Sequence, residues 1–112
     1  MNDFLGFENI ILNPSSIKNT YGFIFTPATT ITEKASLPYN LNIVSIVVSA
    51  YTEDNIAAND LIYSSSLSDN TITLALSYPA AGQGEYIIKF ILTLNDNSVW
   101  VKTFNRISCE ID

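Results

Sequence analysis

Alternation of large apolar residues with a period of two is the feature that most constrains the fold of this chain. The segment from Asn70 to Ser77 carries Ile72, Leu74 and Leu76 on one face. The segment from Glu85 to Leu94 repeats the pattern at higher density. Its alternating large residues are Tyr86, Ile88, Phe90, Leu92 and Leu94. Side chains of a β-strand point alternately to its two faces, so both segments are predicted to be strands with one face against a core.

Further strands are predicted on both sides of these two. The predicted strands are 17–25, 41–51, 60–65 and 99–111. The segment 41–51 has apolar residues of both parities, which is typical of a central or a bulged strand. The segment Thr52–Asp60 is expected to form one helical turn or a polar loop, and Asn95–Ser98 is expected to close a hairpin. Six or seven short strands at regular spacing, with no sustained helical period, predict an all-β fold, a β-sandwich.

Length and charge bound the organisation and the partners. The 112 residues suggest one domain, which we place at 15–112 after an N-terminal arm at 1–14. The net charge is −6, and the five basic residues are scattered, so we expect no binding to nucleic acid or to anionic membranes. The longest apolar stretch, Ile43–Tyr51, is too short to span a membrane. The first residues lack the basic and apolar regions of a signal peptide, so we expect synthesis in a cytoplasm.

A glycine-rich loop precedes the most regular strand, in the sequence AAGQGEYIIKF. A phosphate-binding loop normally leads into a helix, whereas these glycines lead into a strand. The alternative is the tyrosine corner of Ig-like sandwiches, in which a tyrosine near the start of strand F bonds to backbone a few residues upstream. Gly82 and Gly84 would allow the sharp turn and its positive φ, and Tyr86 would bury its ring and satisfy its hydroxyl locally. Ile88 then takes the position of the second core cysteine of antibody domains.

The segment from Ser77 to Ile111 resembles the C-terminal half of small Ig-like proteins encoded among bacteriophage virion genes. The shared pattern is a strand, a glycine-rich turn, a G-x-x-Y-x-(I/V) strand, a short polar hairpin and a last alternating strand. The upstream segments NTYGFIF, NIVSIVVSA and DLIYSS are similar to the earlier strands of that family, and the resemblance covers about residues 15–111. The final hairpin has Asp-Asn-Ser where relatives often have Ser/Asp-Gly-Arg, so the subfamily is not assigned.

The resemblance implies an Ig-like, antiparallel sandwich of about seven strands and an architectural function. The protein would be a fibre–tail adaptor, a neck or connector component, or a head decoration protein. The implied partners are portal, tail, fibre or capsid subunits, with many copies in the assembled virion. A different class of function is a stand-alone Ig-like module for adhesion or carbohydrate binding, for which only Tyr39 and Tyr51 lie near polar loops.

Catalysis is not expected from this chain, and neither is a cofactor or a metal. The sequence has no histidine, which removes the commonest general base and any Ser-His-Asp or Cys-His site. Glu53, Asp54 and Asp60 do not have the spacing of an EF-hand loop, so we interpret them as solvated loop residues. The single cysteine, Cys109, has the apolar parity of the last strand, so a buried and inert thiol is expected.

Two groups of aromatic residues are possible interface elements. In strict alternation the last strand turns Val99, Val101, Thr103, Ile107, Cys109 and Ile111 to the core. Trp100 and Phe104 would then face outwards and mark an interface, unless a bulge or the second sheet buries them.

The arm carries Phe4, Leu5 and Phe7 and is too apolar for a solvated tail. It would either add a strand to the edge of a neighbouring subunit or fold back as the first strand of its own sandwich.

Overall fold

A computed structural model describes residues 10–15, 19–33 and 36–111. Within these ranges the chain forms seven strands and one short 3-10 helix, Asn59–Leu61. The strands are β1 (Ile10–Leu12), β2 (Asn19–Ile24), β3 (Ile43–Thr52), β4 (Ile62–Ser68), β5 (Thr71–Leu76), β6 (Gly84–Leu94) and β7 (Val99–Cys109). The prediction of an all-β chain with about seven strands is confirmed. In the described ranges no helix has the length and apolar character needed to cross a membrane.

The strands form two sheets, with the orders β1-β7-β6-β3 and β2-β5-β4. If β2 to β7 are lettered B to G, the three-stranded sheet is B-E-D and the larger sheet contains C-F-G, as in Ig domains. All pairs are antiparallel except β1 with β7, which is parallel and joins Ile10 to Ile107 and Leu12 to Cys109. The first strand therefore lies at the edge of the C-F-G sheet, and this one parallel pair departs from the predicted antiparallel arrangement.

The alternation read from the sequence describes β5 and β6 correctly. Ile72, Leu74 and Leu76 are fully buried, while Thr71, Thr73 and Ala75 between them are half-buried. In β6 every second residue from Tyr86 to Leu94 is buried. These two strands lie at the centre of their sheets, so the alternating residues form the two facing layers of the core.

The prediction for the first half of β7 is wrong, because the strand contains a bulge. Tyr86 is paired with Ile107, but Ile88 is paired with Phe104, so β7 has one more residue than β6 over this interval. The extra residue changes whether the odd or the even positions of β7 face the core. Val99 and Val101, predicted to face the core, are 62% and 50% exposed, while Phe104 is 2% exposed. Ile107 and Cys109, which follow the bulge, are buried as predicted.

An aromatic cluster connects the two sheets. Phe23 of β2 lies 5.2 Å from Phe90 of β6 and 5.3 Å from Phe104 of β7, measured between ring centroids. Phe25 lies 5.6 Å from Phe90 and 6.1 Å from Trp100, with the rings near perpendicular. Edge-to-face pairs of this kind add about 0.5–1.5 kcal/mol each to the burial of the rings. These rings therefore hold the two layers together by packing, without a disulfide between them.

β3 is an edge strand, not a central one, and it contains a bulge between Ile43 and Ser45. Apolar residues occupy both odd and even positions of β3, on both of its faces. Ile43 and Ala50 are buried in the core, whereas Val47 lies on the outer face and is 60% exposed. The segment after β3 forms a turn and then the 3-10 helix, as expected for Thr52–Asp60.

Candidate functional site

The predicted tyrosine corner has the geometry of its Ig counterpart. The ring of Tyr86 is buried, and its hydroxyl donates a hydrogen bond of 2.6 Å to the carbonyl of Gly82. Gly82 and Gly84 have φ angles of +83° and +145°, which residues with a Cβ rarely adopt. Burial raises the pKa of the Tyr86 hydroxyl, and Cys109, Tyr78 and Asp60 add to the effect. The hydroxyl therefore keeps its proton and acts as a donor at neutral pH.

Asp60 holds the same loop from the other side. Its carboxylate accepts a hydrogen bond of 2.6 Å from the backbone N–H of Ala80, and its carbonyl accepts one from the hydroxyl of Ser77. Asp60 is thus engaged in joining the 3-10 helix to the loop before β6. Among the described residues no three or more metal-ligating side chains come together.

The structure places the two aromatic residues of the last strand differently, with Phe104 in the core and Trp100 half-buried against it. Phe104 is 2% exposed and contacts Phe23. The alternative in which a bulge buries this residue is therefore confirmed. Trp100 is half-buried against the core, with Phe25 on one side and the ammonium of Lys102 5.1 Å from its ring centroid. Sequence reasoning named a bulge as one alternative but could not decide it, because a bulge depends on the pairing of β7 with β6.

The N-terminal arm is described only from Ile10. Ile10 and Leu12 are buried, and the carbonyl of Leu12 accepts a hydrogen bond from Glu110. The alternative in which the arm supplies the first strand of its own sandwich therefore holds for Ile10–Leu12. Phe4, Leu5 and Phe7 lie outside the described residues.

Cys109 is buried, as predicted for an inert thiol. Burial raises its pKa to about 11. Only the thiolate is a good nucleophile or metal ligand. At neutral pH Cys109 is therefore a small apolar residue of the core.

The outer face of the larger sheet carries the exposed residues that sequence reasoning placed in the core or did not single out. The register aligns Val47 of β3 with Ile91 of β6 and Val101 of β7, and the next row holds Ser45, Thr93 and Val99. These two rows contain no charged side chain. We call Val47, Ile91, Val99 and Val101 the valine surface. Its three valines are 60%, 62% and 50% exposed at Val47, Val99 and Val101, respectively.

The outer face of the smaller sheet differs in chemistry. Its register brings together hydroxyl-bearing side chains with few apolar ones. They are Thr20, Ser64, Ser66, Ser68, Thr71 and Thr73. The two broad faces of the sandwich are therefore distinct, and only the larger sheet presents an apolar one.

The free edge of β3 adjoins the valine surface. Backbone and side-chain groups of Ile56–Asn59 cover the end of β3, because Thr52 donates to Ile56, Ala58 donates to Ala50, and Ala50 donates to the Asn59 side chain. At the start of β3 the N–H of Ile43 donates to the side chain of Asn70. Between these points, within the described residues, Ser45–Ser49 has no hydrogen-bonded strand on that side. This uncharged stretch is a site where an extended segment could be added.

A polar depression of about 410 Å³ lies on the same face, at the bulged end of β7. It is lined by Tyr51, Asn55, Ile87, Lys89, Thr103 and Asn105. A second depression of about 410 Å³, between the start of β6 and the end of β7, has Glu85 and Glu110 as its charged residues and no aromatic ring. Of the residues that line the polar depression, only Tyr51 was singled out from the sequence, because the lining comes from three strands and one turn.

No protein-family model, curated protein or solved structure matches this chain.

Proposed function

We propose that the protein is a non-enzymatic structural component of a bacteriophage virion, an Ig-like adaptor or connector that binds a neighbouring tail, neck or fibre subunit. The observation that carries the binding role is the valine surface, where two adjacent rows of the sheet expose apolar side chains and no charge. Contiguous exposed apolar surface of this kind is typical of protein interaction sites. The assignment to a virion rests on the family resemblance of the sequence.

The low charge of this face supports a protein partner. The chain has a net charge of −6, yet Lys89 is the only charged side chain among the rows from Ser49–Thr103 to Ser45–Val99. Cores of protein interfaces are depleted of charge, because a buried unpaired charge loses its hydration. The open edge of β3 extends the same surface and offers backbone hydrogen bonds to the partner.

A site-specific photocrosslinking experiment tests the proposal. A benzophenone amino acid replaces Val101 in the virion, and its matched control replaces Ser66 on the hydroxyl face of the smaller sheet. We expect the probe at position 101 to trap a portal, tail, neck or fibre subunit, and the probe at position 66 to trap none. A capsid subunit at position 101 would favour the head-decoration alternative. Absence of the protein from purified particles would contradict the proposal.

A charge substitution tests whether the valine surface provides the affinity. The double variant Val47→Lys with Val101→Lys should stay folded, because both side chains are exposed. It should weaken binding to the crosslinked subunit by tenfold or more, since the interface would bury two unpaired charges. Ser66→Lys should leave binding unchanged. Equal binding by both variants would show that the partner docks elsewhere.

A further inference from the structure

The polar depression combines one aromatic ring with several polar side chains that have no internal partner. Tyr51 and Lys89 are half-buried on neighbouring rows of β3 and β6, while Asn55, Thr103 and Asn105 are exposed around them. Within the described residues none of these five side chains makes a hydrogen bond or ion pair that fixes its polar group. Their donors and acceptors are therefore not engaged within the described chain, and all five residues line one depression.

Strand alternation and one turn bring the two amide side chains together. Asn105 is the next outward-facing position of β7 after Thr103, beside the row of Tyr51 and Ile87. The turn after β3 holds Asn55 in the left-handed region, at a φ of 65°, and its N–H donates to the carbonyl of Thr52. The depression therefore receives one amide from a strand and one from a turn.

We infer that the polar depression is a carbohydrate-binding site, in which a pyranose ring stacks on Tyr51 and its hydroxyls bind Asn55, Lys89, Thr103 and Asn105. A pyranose has an apolar face of C–H groups and a rim of hydroxyls that donate and accept. This matches an aromatic ring bordered by amides, a hydroxyl and an ammonium. The depression lies within the size range of small-molecule sites. The inference does not depend on the proposed virion function.

The charge of the site predicts a preference among sugars. Among the described residues that line the depression, Lys89 is the only cation and none is a carboxylate. A charge-assisted hydrogen bond from an ammonium to a carboxylate is stronger than one to a neutral hydroxyl. Sugars with a carboxylate, such as glucuronate, should therefore bind more tightly than the corresponding neutral sugar.

An NMR titration of the intact chain with glucose and glucuronate tests the inference. Open sites with few contacts bind a single sugar weakly, so a dissociation constant on the order of 1–10 mM is expected. The amide shifts should saturate and be confined to the lining of the depression, with glucuronate the tighter ligand. Shifts that do not saturate, or that centre on the valine surface, would overturn the inference.

Variants separate stacking from general surface effects. Tyr51→Ala should weaken binding by about tenfold, whereas Tyr51→Phe should keep most of the affinity because the ring remains. Lys89→Gln should remove the preference for glucuronate. Tyr63→Ala removes an exposed ring from β4 of the other sheet, so it is the matched control and should bind like the parent chain. Unchanged affinity in Tyr51→Ala, with a normal unfolding midpoint, would refute the site.

Discussion

At the scale of single residues, Tyr86 shows how a local hydrogen bond fixes a long-range connection. Its ring lies in the core, while its hydroxyl bonds the loop that brings the chain from the smaller sheet to the larger one. The positive φ angles of Gly82 and Gly84 allow the loop carbonyl to face that hydroxyl. This one hydrogen bond therefore connects a buried ring of the core to the loop between the two sheets.

Removal of the Tyr86 hydroxyl tests this contact. Tyr86→Phe should lower the free energy of unfolding by about 1–2 kcal/mol, because the part-buried hydrogen bond to the carbonyl of Gly82 is lost. Urea denaturation measures the change. Tyr39→Phe deletes the same atom from a side chain that is 51% exposed, and should change stability by less than about 0.5 kcal/mol. Equal effects in the two variants would contradict a structural role of the corner.

The buried thiol of Cys109 predicts a loss of stability at alkaline pH. The pKa of this thiol is about 11 in the folded chain, against an ordinary value of 9.0. Below pH 9 both states keep the proton and the thiol contributes nothing to pH dependence. Between pH 9 and 11 the unfolded chain releases the proton first, so unfolding becomes more favourable. Tyr86 acts in the same direction above its ordinary pKa of 10.0.

Cys109→Ala should therefore lose less stability than the parent chain between pH 9 and 11, measured by urea denaturation at several pH values. The comparison at pH 7 gives the separate cost of the smaller side chain in the core. Parallel stability curves for the two proteins across this interval would show that the thiol does not titrate with unfolding.

At the scale of secondary structure, the single extra residue in β7 decides which side chains reach the core. Before the bulge, Phe104 and Trp100 face inwards, and after it Ile107 and Cys109 do. This reversal completes the aromatic cluster with Phe23 and exposes the valines. One bulge thus connects the core and the valine surface.

Two neighbouring residues of β7 test directly which side chains of this strand face the core. Phe104→Ala should lower the free energy of unfolding by about 3–5 kcal/mol, because a fully buried ring is lost from the aromatic cluster. Thr103→Ala, one position earlier on the outer face, should cost less than about 1 kcal/mol. Thermal or urea unfolding of both variants measures the contrast. The opposite order of effects is expected if β7 alternates without a bulge.

At the scale of the whole molecule, the two sheets depend on each other for burial. The larger sheet contributes Phe90 and Phe104 to the aromatic cluster, and the smaller one contributes Phe23, with Phe25 directly after β2. Neither sheet can cover these rings alone, and no intramolecular disulfide is possible with one cysteine. The outer faces, by contrast, are independent of this contact and differ in chemistry.

This mutual burial predicts cooperative unfolding of the sandwich. Trp100 fluorescence reports the packing between Phe25 and the larger sheet, and far-UV circular dichroism reports the strands of both sheets. The two signals should change at the same urea concentration and fit a two-state transition. Two separated transitions would mean that one sheet persists without the other. Addition of a reducing agent should leave the midpoint unchanged.

The sequence by itself determined the fold class, the central strands and the tyrosine corner. Alternation in β5 and β6 is local information, and the spacing of Gly82, Gly84 and Tyr86 lies within one loop and one strand. Only the tertiary structure decided the orientation of Trp100 and Phe104, because a bulge depends on the pairing of β7 with β6 and on the space left by Phe23. The edge position of β3 and the parallel pairing of β1 with β7 likewise depend on which strands become neighbours. The valine surface and the polar depression were not predictable for the same reason, since their residues meet only when β3, β6 and β7 are in register.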